Sequence, residues 1–390
     1  MCAQRSSGPT GGTVLHVVQP GEGGVPRVVL DLVAAQLEQG LAVTLACPAG
    51  TPLAAAAAGT GCDLYDWPAV RSPLRGVVGE ARRLARLVER VGPDVVHAHS
   101  AKAGLVARAV LRGRIPTVFQ PHAWSFEAEG ALTRALALRW ERLAARWTAR
   151  TVCVSEAERR RGRDAGVRSA CTVVHNGVDP SRFTPGPDPR TARAALPLTA
   201  GHPDAPTVVC VGRLCRQKGQ DTLLDAWEAV LARHPAARLV LVGDGPLGEE
   251  LRRAAPASVA FAGAVPDTAP WYRAADVVVL PSRWEGMAVA PLEAMATGRP
   301  VVITDVDGAR ESLPPGHHPL SLVRPDDPEA LASALVRLLD QPELRAVLGR
   351  EQHRHVSEHF DVRRVGEAIA GVYREVAPGV RRESWEPVSP

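Results

Sequence analysis

Two glutamates, an arginine and a lysine form the pattern in this sequence best suited to chemistry. Glu285 and Glu293 stand eight positions apart in PSRWEGMAVAPLEAMATGRP, residues 281–300. The apolar run Val277–Leu280 delivers the chain to a loop that carries Glu285. Pro291 is suited to open a helix, and Glu293 would then lie in its first turn, where the helix dipole favours an anion. Both carboxylates would face whatever lies above the strand end. The backbone N–H groups of Gly286, Met287, Ala288, Val289 and Ala290 between them suit a phosphate or sugar oxygen. Arg213 and Lys218 follow a second apolar run, Val208–Val211. Lys218 is one of only two lysines, with Lys102, in a chain that otherwise uses arginine. The alternative for each of these residues is a solvated surface charge, and taken singly none of them excludes it.

Positioning such groups requires a regular scaffold, and the pattern supplies one. Short apolar runs alternate with amphipathic stretches: strands at Val14–Val18, Ala42–Ala46, Asp94–Ala98, Thr117–Gln120 and Thr151–Val154, with helices at 26–39 and 77–91 and one beginning near Ala101. Strands alternating with helices argue a parallel sheet covered on both faces. The pattern breaks at Pro185–Gly201, rich in Pro, Gly and Thr, which reads as a linker. It then restarts with Val208–Val211, helix 220–233, Arg238–Val242, Val259–Phe261, Val277–Leu280, helix 291–296 and Val301–Ile303. Helices at 327–340 and 362–376 follow, and residues beyond Ala377 read as a tail. The expected fold is α/β: two doubly wound, Rossmann-like domains, 1–185 and 205–376, joined by a linker at 186–204. The last helix is a candidate to cross back to the first domain.

Composition narrows the class. A length of 390 residues suits two domains, and 45% hydrophobic with 23% charged residues is ordinary for a folded protein. A formal charge of +4 is too small to imply nucleic acid. Seven cysteines lack C-x-x-C spacing, which points to reduced thiols and a cytoplasmic location. The N-terminus does not resemble a signal peptide, and no apolar run reaches membrane-spanning length.

The 281–300 segment resembles the E-x7-E signature of glycosyltransferase family 4, and the likeness extends over most of the chain. Val211-Gly212-Arg213-Leu214 with Lys218, Gly219 and Asp221, Leu241–Pro246 (LVGDGP), His175–Asp179 (HNGVD) with Phe183, and Pro300–Glu311 all resemble family segments, in the family's order. Gly21–Gly24 sits where such proteins carry a Gly-rich donor loop, and DVVHAHSAKAG at 94–104 resembles polysaccharide-assembly members. The resemblance implies the GT-B fold, two Rossmann-like domains facing a central cleft. It also implies a retaining, metal-independent hexosyltransferase that uses a nucleotide-sugar, a UDP-sugar first, as substrate and needs no cofactor. Arg213 and Lys218 would stabilise the departing diphosphate, with N–H groups at Gly23 and Gly24 reaching the phosphates. Glu293 would hold the ribose hydroxyls, and Glu285 the donor sugar. His122, at a strand end, would lie close to that sugar, although Pro121 replaces the family's usual glycine there.

Several features stay open on the residues alone. His97 and His99, with Ser100 and Lys102, are either acceptor contacts or ordinary loop chemistry. Asp305-Val306-Asp307 has D-x-D metal spacing but reads as a loop feature, with Glu311 a more useful acid near the donor. Arg134–Arg168 holds ten arginines and four acids, with Trp140 and Trp147 at helical intervals. It reads either as a solvated amphipathic helix or as a peripheral contact with anionic lipid. The expected acceptor is a glycan or a lipid-linked glycan. A transferase that decorates a small natural product is the first alternative, a sugar-nucleotide epimerase the second, and a degenerate binding module the last.

Overall fold

The computed structural model describes residues 11–70, 72, 75–127 and 130–378. The first ten residues and most of the expected tail lie outside that range. Thirteen strands are described: β1 Gly11–Val18, β2 Leu41–Cys47, β3 Asp63–Asp66, β4 Val95–His99, β5 Thr117–Gln120, β6 Arg150–Cys153, β7 Cys171–Val173, β8 Thr207–Val211, β9 Arg238–Val242, β10 Val259–Gly263, β11 Val277–Leu280, β12 Val301–Thr304 and β13 Leu322–Val323. They form two sheets, β3-β2-β1-β4-β5-β6-β7 and β10-β9-β8-β11-β12-β13. Every paired neighbour in both is parallel. Each is therefore a doubly wound sheet. The order reverses once in each, between β1 and β4 and between β8 and β11, the crevice position where such folds take ligands.

The described residues fall into two compact units. One comprises the chain up to His175 together with the chain from Val362 onward, and the other is Asn176–Asp361. The helix Val362–Val376 thus belongs with the first unit, where a Cβ added at Gly366 would lie 2.6 Å from that of Ala35 on the helix Gly24–Glu38. The stretch 186–204 belongs to the second unit and is not bare linker. Asp188 caps a short helix, Pro189–Ala194, by accepting from the N–H groups of Arg190 and Thr191.

In the first unit, strand alternation splits the core in two. Val14 and Val18 with Val95 and Val118 pack under the helices Gly24–Glu38 and Val362–Val376, while Leu15, Val17, Val96, Ala98 and Phe119 pack on the other face. The second unit buries Val208, Leu239, Val277 and Val302 against Trp227, Leu335 and Leu338. The 18-residue helix Pro342–His359 was not expected from the sequence, because Arg, Glu, His and Gln dominate it and only Leu348, Gly349, Gln352 and Val356 are buried. The six described cysteines are free thiols.

Candidate active site

In the second unit the loops after β8 and β11, the two strands at the order reversal, are joined by close backbone contacts. Gly219 has φ +65°, and a Cβ there would lie 2.1 Å from the Pro281 carbonyl oxygen. Gly243, at φ +136°, lets the following turn press on the Gly212 carbonyl oxygen, 2.1 Å from where its Cβ would stand. These are positions that only glycine fills without displacement. The Arg283 N–H donates to the Gln217 carbonyl at 2.8 Å, and Gln217 Nε2 donates to the Trp284 carbonyl at 2.9 Å. Arg283 then clamps the base of both loops, donating to both carboxylate oxygens of Asp221 at 2.9 and 2.8 Å and to Asp326 at 2.7 Å. Asp221, part of a motif in the sequence, is one of the two carboxylates that Arg283 clamps.

The clamp places two residues 67 positions apart in contact. Lys218 Nζ lies 2.5 Å from Glu285 Oε1, which also accepts from the Ser282 hydroxyl at 2.7 Å. The Lys218 side chain keeps 19% of its surface and that of Glu285 keeps 10%, so the pair is largely shielded without being sealed. Arg213 leaves β8 beside them, half-buried, its carbonyl accepting from Gln220 at 3.0 Å. A shallow cleft beside the pair is lined by Glu285, Ser282, Ala288, Thr304, Asp307 and Ser312.

The helix carrying Glu293 begins at Val289, not at Pro291. Pro291 is its third residue and Glu293 its fifth, so the expected first-turn placement is corrected and the dipole argument for Glu293 falls. Ala288 occupies the cap position without a side-chain cap bond. The first N–H groups of that helix lack intrahelical acceptors, which keeps this end suited to an oxygen ligand. Met287 is buried, its carbonyl held by Asn176 at 2.8 Å. Glu293 is held by Tyr272, whose hydroxyl donates to Oε2 at 2.7 Å. Burial and the adjacent carboxylate raise the Tyr272 hydroxyl well above its ordinary range, so it stays a donor. Sequence reasoning missed Tyr272: it lies on a six-residue helix, Ala269–Ala274, too short for any periodic signal.

In the first unit, Gly23 caps the 15-residue helix Gly24–Glu38 with φ +96°, and both glycines are exposed with nothing near an added Cβ. His122 follows β5, half-buried, in a left-handed backbone conformation of φ +58°, uncommon outside glycine. His97 and His99 are fully buried within β4, so neither is a loop residue open to an acceptor. Lys102 is also buried, paired with Glu80 at 3.1 Å and donating to the Ser72 and Arg75 carbonyls; it anchors a neighbouring segment. Ser100 is half-buried at the strand end, with φ +71°. The sequence reading missed His16 on β1, which is buried beside His97 and His99. These three form, among the described residues, the one His/Cys/Asp/Glu group with ligand atoms within 4.8 Å of one another.

Asp305 is ion-paired to Arg310 at the end of β12, Asp307 lines the cleft, and Glu311 is half-buried on the helix Ala309–Ser312. The basic segment 134–168 is not one helix. It ends the helix Ala131–Ala144, crosses the sheet as β6, and resumes as Glu156–Asp164. Glu141 is buried against Arg108 at 2.8 Å, and Trp140 and Trp147 are half-buried, 6.1 Å apart. Leu132, Leu136 and Leu143 stay exposed on the same helix as Arg134, Arg139 and Arg142. No helix among the described residues is long and apolar enough to cross a membrane.

Comparison with known proteins agrees with this architecture. Residues 22–182 match the family model described as Glycosyltransferase Family 4, and residues 205–341 match Glycosyl transferases group 1. The chain is 35% identical over 216 residues to the lipopolysaccharide core biosynthesis mannosyltransferase LpsB of Rhizobium meliloti, covering 53% of this chain and 61% of that protein. It is 36% identical over 235 residues to a D-inositol 3-phosphate glycosyltransferase of Saccharomonospora viridis, covering 56% of this chain and 53% of the relative. The matches thus span between half and two thirds of these relatives' lengths. The crystal structure of Anabaena HepE in complex with UDP-glucose superposes with a TM-score of 0.80 at 22% identity, over 93% of this chain and all of that one. That likeness bears on the fold, which is GT-B.

Proposed function

We propose, from the premise that this chain belongs to the family 4 glycosyltransferases, that it moves a sugar from a nucleotide-diphospho-sugar to a glycan or lipid-linked acceptor. The donor is a UDP-sugar first, the anomeric configuration is retained, and no metal takes part. The observation that carries the reading is the Lys218–Glu285 pair, held by the Arg283 clamp at the β8/β11 reversal. As the bond to the anomeric carbon breaks, negative charge grows on the diphosphate, and Arg213 and Lys218 stabilise it there. Glu293, oriented by Tyr272, takes the two ribose hydroxyls as a bidentate acceptor, and Glu285 takes hydroxyls of the sugar. The N–H groups at Gly286, Met287, Ala288 and Val289 serve the remaining donor oxygens. In the first unit the exposed Gly23–Gly24 helix start suits an anionic oxygen, and His122 suits a sugar hydroxyl. The acceptor oxygen attacks on the face the diphosphate leaves, and a departing phosphate oxygen takes its proton.

The lipopolysaccharide-core relative supports a glycan acceptor, and the UDP-glucose in the HepE structure supports a uridine donor. The exposed leucines between arginines on Ala131–Ala144 support contact with an anionic lipid surface at the inner face of the membrane. Thermal shift against UDP-, GDP- and dTDP-sugars tests the donor class, since a ligand that binds only the folded state raises its stability. One nucleotide series should stabilise the wild type and leave folded Glu293→Ala protein unmoved; equal shifts in both would overturn the assignment.

A further inference from the structure

Alternation along the first sheet puts residues 14, 16 and 18 of β1, 95, 97 and 99 of β4, and 118 and 120 of β5 on one face. On that face His16, His97 and His99 stand among Val14, Val18, Val95 and Val118, with Gln120 a further polar side chain on β5. The histidines are joined in a continuous hydrogen-bonded chain. His122 Nε2 lies 3.1 Å from His99 Nδ1, and His99 Nε2 lies 2.9 Å from His16 Nδ1. His16 Nε2 lies 2.8 Å from Gln36 Oε1, whose Nε2 donates to the Tyr373 hydroxyl at 3.2 Å; that hydroxyl lies 2.6 Å from His97 Nδ1.

A neutral imidazole has one donor and one acceptor nitrogen, so the chain has one polarity. Burial holds all four rings in the neutral form and keeps the proton on Tyr373. Tyr373 accepts from Gln36 and therefore donates to His97 Nδ1. The Gln36 oxygen accepts the Nε2 proton of His16. His16 Nδ1 must then accept from His99 Nε2, and His99 Nδ1 from His122 Nε2. The opposite polarity would require the Nδ1–H tautomer, the less favoured form of a histidine side chain, at all four rings. Both nitrogens of His16 and of His99 are occupied in this chain, so a metal ion at the group would have to break it.

We propose that Gln36, His16 and His99 are positioning residues that lock His122 as its Nε2–H tautomer, so that its Nδ1 lone pair is presented as a hydrogen-bond acceptor to a sugar hydroxyl. The helix Gly24–Glu38 thereby sets the hydrogen-bond sense of a site residue 86 positions away. The sugar-hydroxyl part rests on the proposed transferase function; the tautomer part does not. The backbone of His122, held at φ +58°, is the strained conformation expected where a side chain is aimed for function.

Gln36→Glu should reverse the chain. A buried carboxylate draws a proton onto His16, which then donates through both nitrogens, forcing His99 and next His122 into the Nδ1–H form. The test is long-range nitrogen–proton NMR on histidine-labelled full-length protein. In wild type, His16, His99 and His122 should each show a protonated Nε2 and a lone pair on Nδ1; a protonated Nδ1 on His122 overturns the proposal without any variant. In Gln36→Glu the His122 Nδ1 should become protonated, and kcat/KM with the donor found by the nucleotide-sugar screen should fall about tenfold, the loss of roughly one neutral hydrogen bond. A changed tautomer with unchanged turnover overturns the sugar contact, and an unchanged tautomer overturns the relay. If no donor turns over, the transferase reading fails while the NMR result still decides the relay.

Discussion

Replacing Glu285 with glutamine separates the two duties assigned to Lys218. The amide has the carboxylate's shape and can still accept from Ser282, which lies 2.7 Å from Glu285 Oε1, but the charge that pairs with Lys218 at 2.5 Å is lost. A pair this shielded but not sealed contributes about 1–2 kcal/mol to stability, so Glu285→Gln should unfold slightly earlier in urea. Its effect on a nucleoside diphosphate runs the other way. A phosphoryl group on Lys218 would stand about 6 Å from the Glu285 carboxylate, a repulsion of about 3 kcal/mol per charge at an effective dielectric of 20. Half of that repulsion, about 1.4 kcal/mol, is enough to make UDP bind about tenfold tighter once the charge is removed. Titration calorimetry of UDP and GDP into wild type, Glu285→Gln and Lys218→Met reads this directly. The expected order is tighter binding in Glu285→Gln and weaker in Lys218→Met, with turnover reduced in both. If the two variants weaken diphosphate binding alike, Lys218 serves only to hold Glu285, and the phosphate assignment is wrong.

Three further outcomes follow from the geometry. His16 and His122 are lowered to about 4 and about 3 by burial, and His97 and His99 well below their ordinary value. The unfolded chain therefore binds more protons as pH falls through about 6.5, and stability drops by about 1 kcal/mol per histidine between pH 7 and 5.5. Glu158, raised to about 8 by burial, opposes this by about 2 kcal/mol, so urea unfolding should show a net loss of about 2–3 kcal/mol; an unchanged or higher midpoint at pH 5.5 would contradict it. Tyr272→Phe removes a buried 2.7 Å donor from Glu293 and should cost about 2 kcal/mol in urea unfolding and weaken UDP binding; wild-type values for both would show that Tyr272 does not orient Glu293. Gly219→Ala places a Cβ against the Pro281 carbonyl at φ +65° and should lower stability by about 1–3 kcal/mol with loss of diphosphate binding, whereas Gly212→Ala, whose Cβ would meet nothing closer than 3.6 Å, should keep both.

Much of the fold was legible because both sheets are parallel and buried, so their strands read as continuous apolar runs; β5, β9 and β11 lie where the sequence puts them. The short edge strands β3, β7 and β13 were not legible, since their residues are half-exposed and few. Of the proposed site, Glu285, Glu293, Arg213 and Lys218 were selected through motif and charge, and the structure brings Lys218 and Glu285 into contact. What motif reading cannot supply is the support behind such residues. Arg283 looks like a loop cation and is the clamp on Asp221 and Asp326. His16 hides in the run TVLHVV, and only the shared strand parity of 16, 97 and 99 would have disclosed it. Lys102 shows the converse: rare by composition, it is spent on a buried ion pair with Glu80.

Arg213 and Lys218 are proposed to bind the donor diphosphate without a metal, and calorimetry of UDP binding in the presence of a strong chelator tests this most directly. Wild type should bind UDP equally well with and without EDTA, and the Arg213→Met/Lys218→Met double variant should lose that binding while remaining folded. Binding that vanishes on chelation, or that survives in the double variant, would contradict the account.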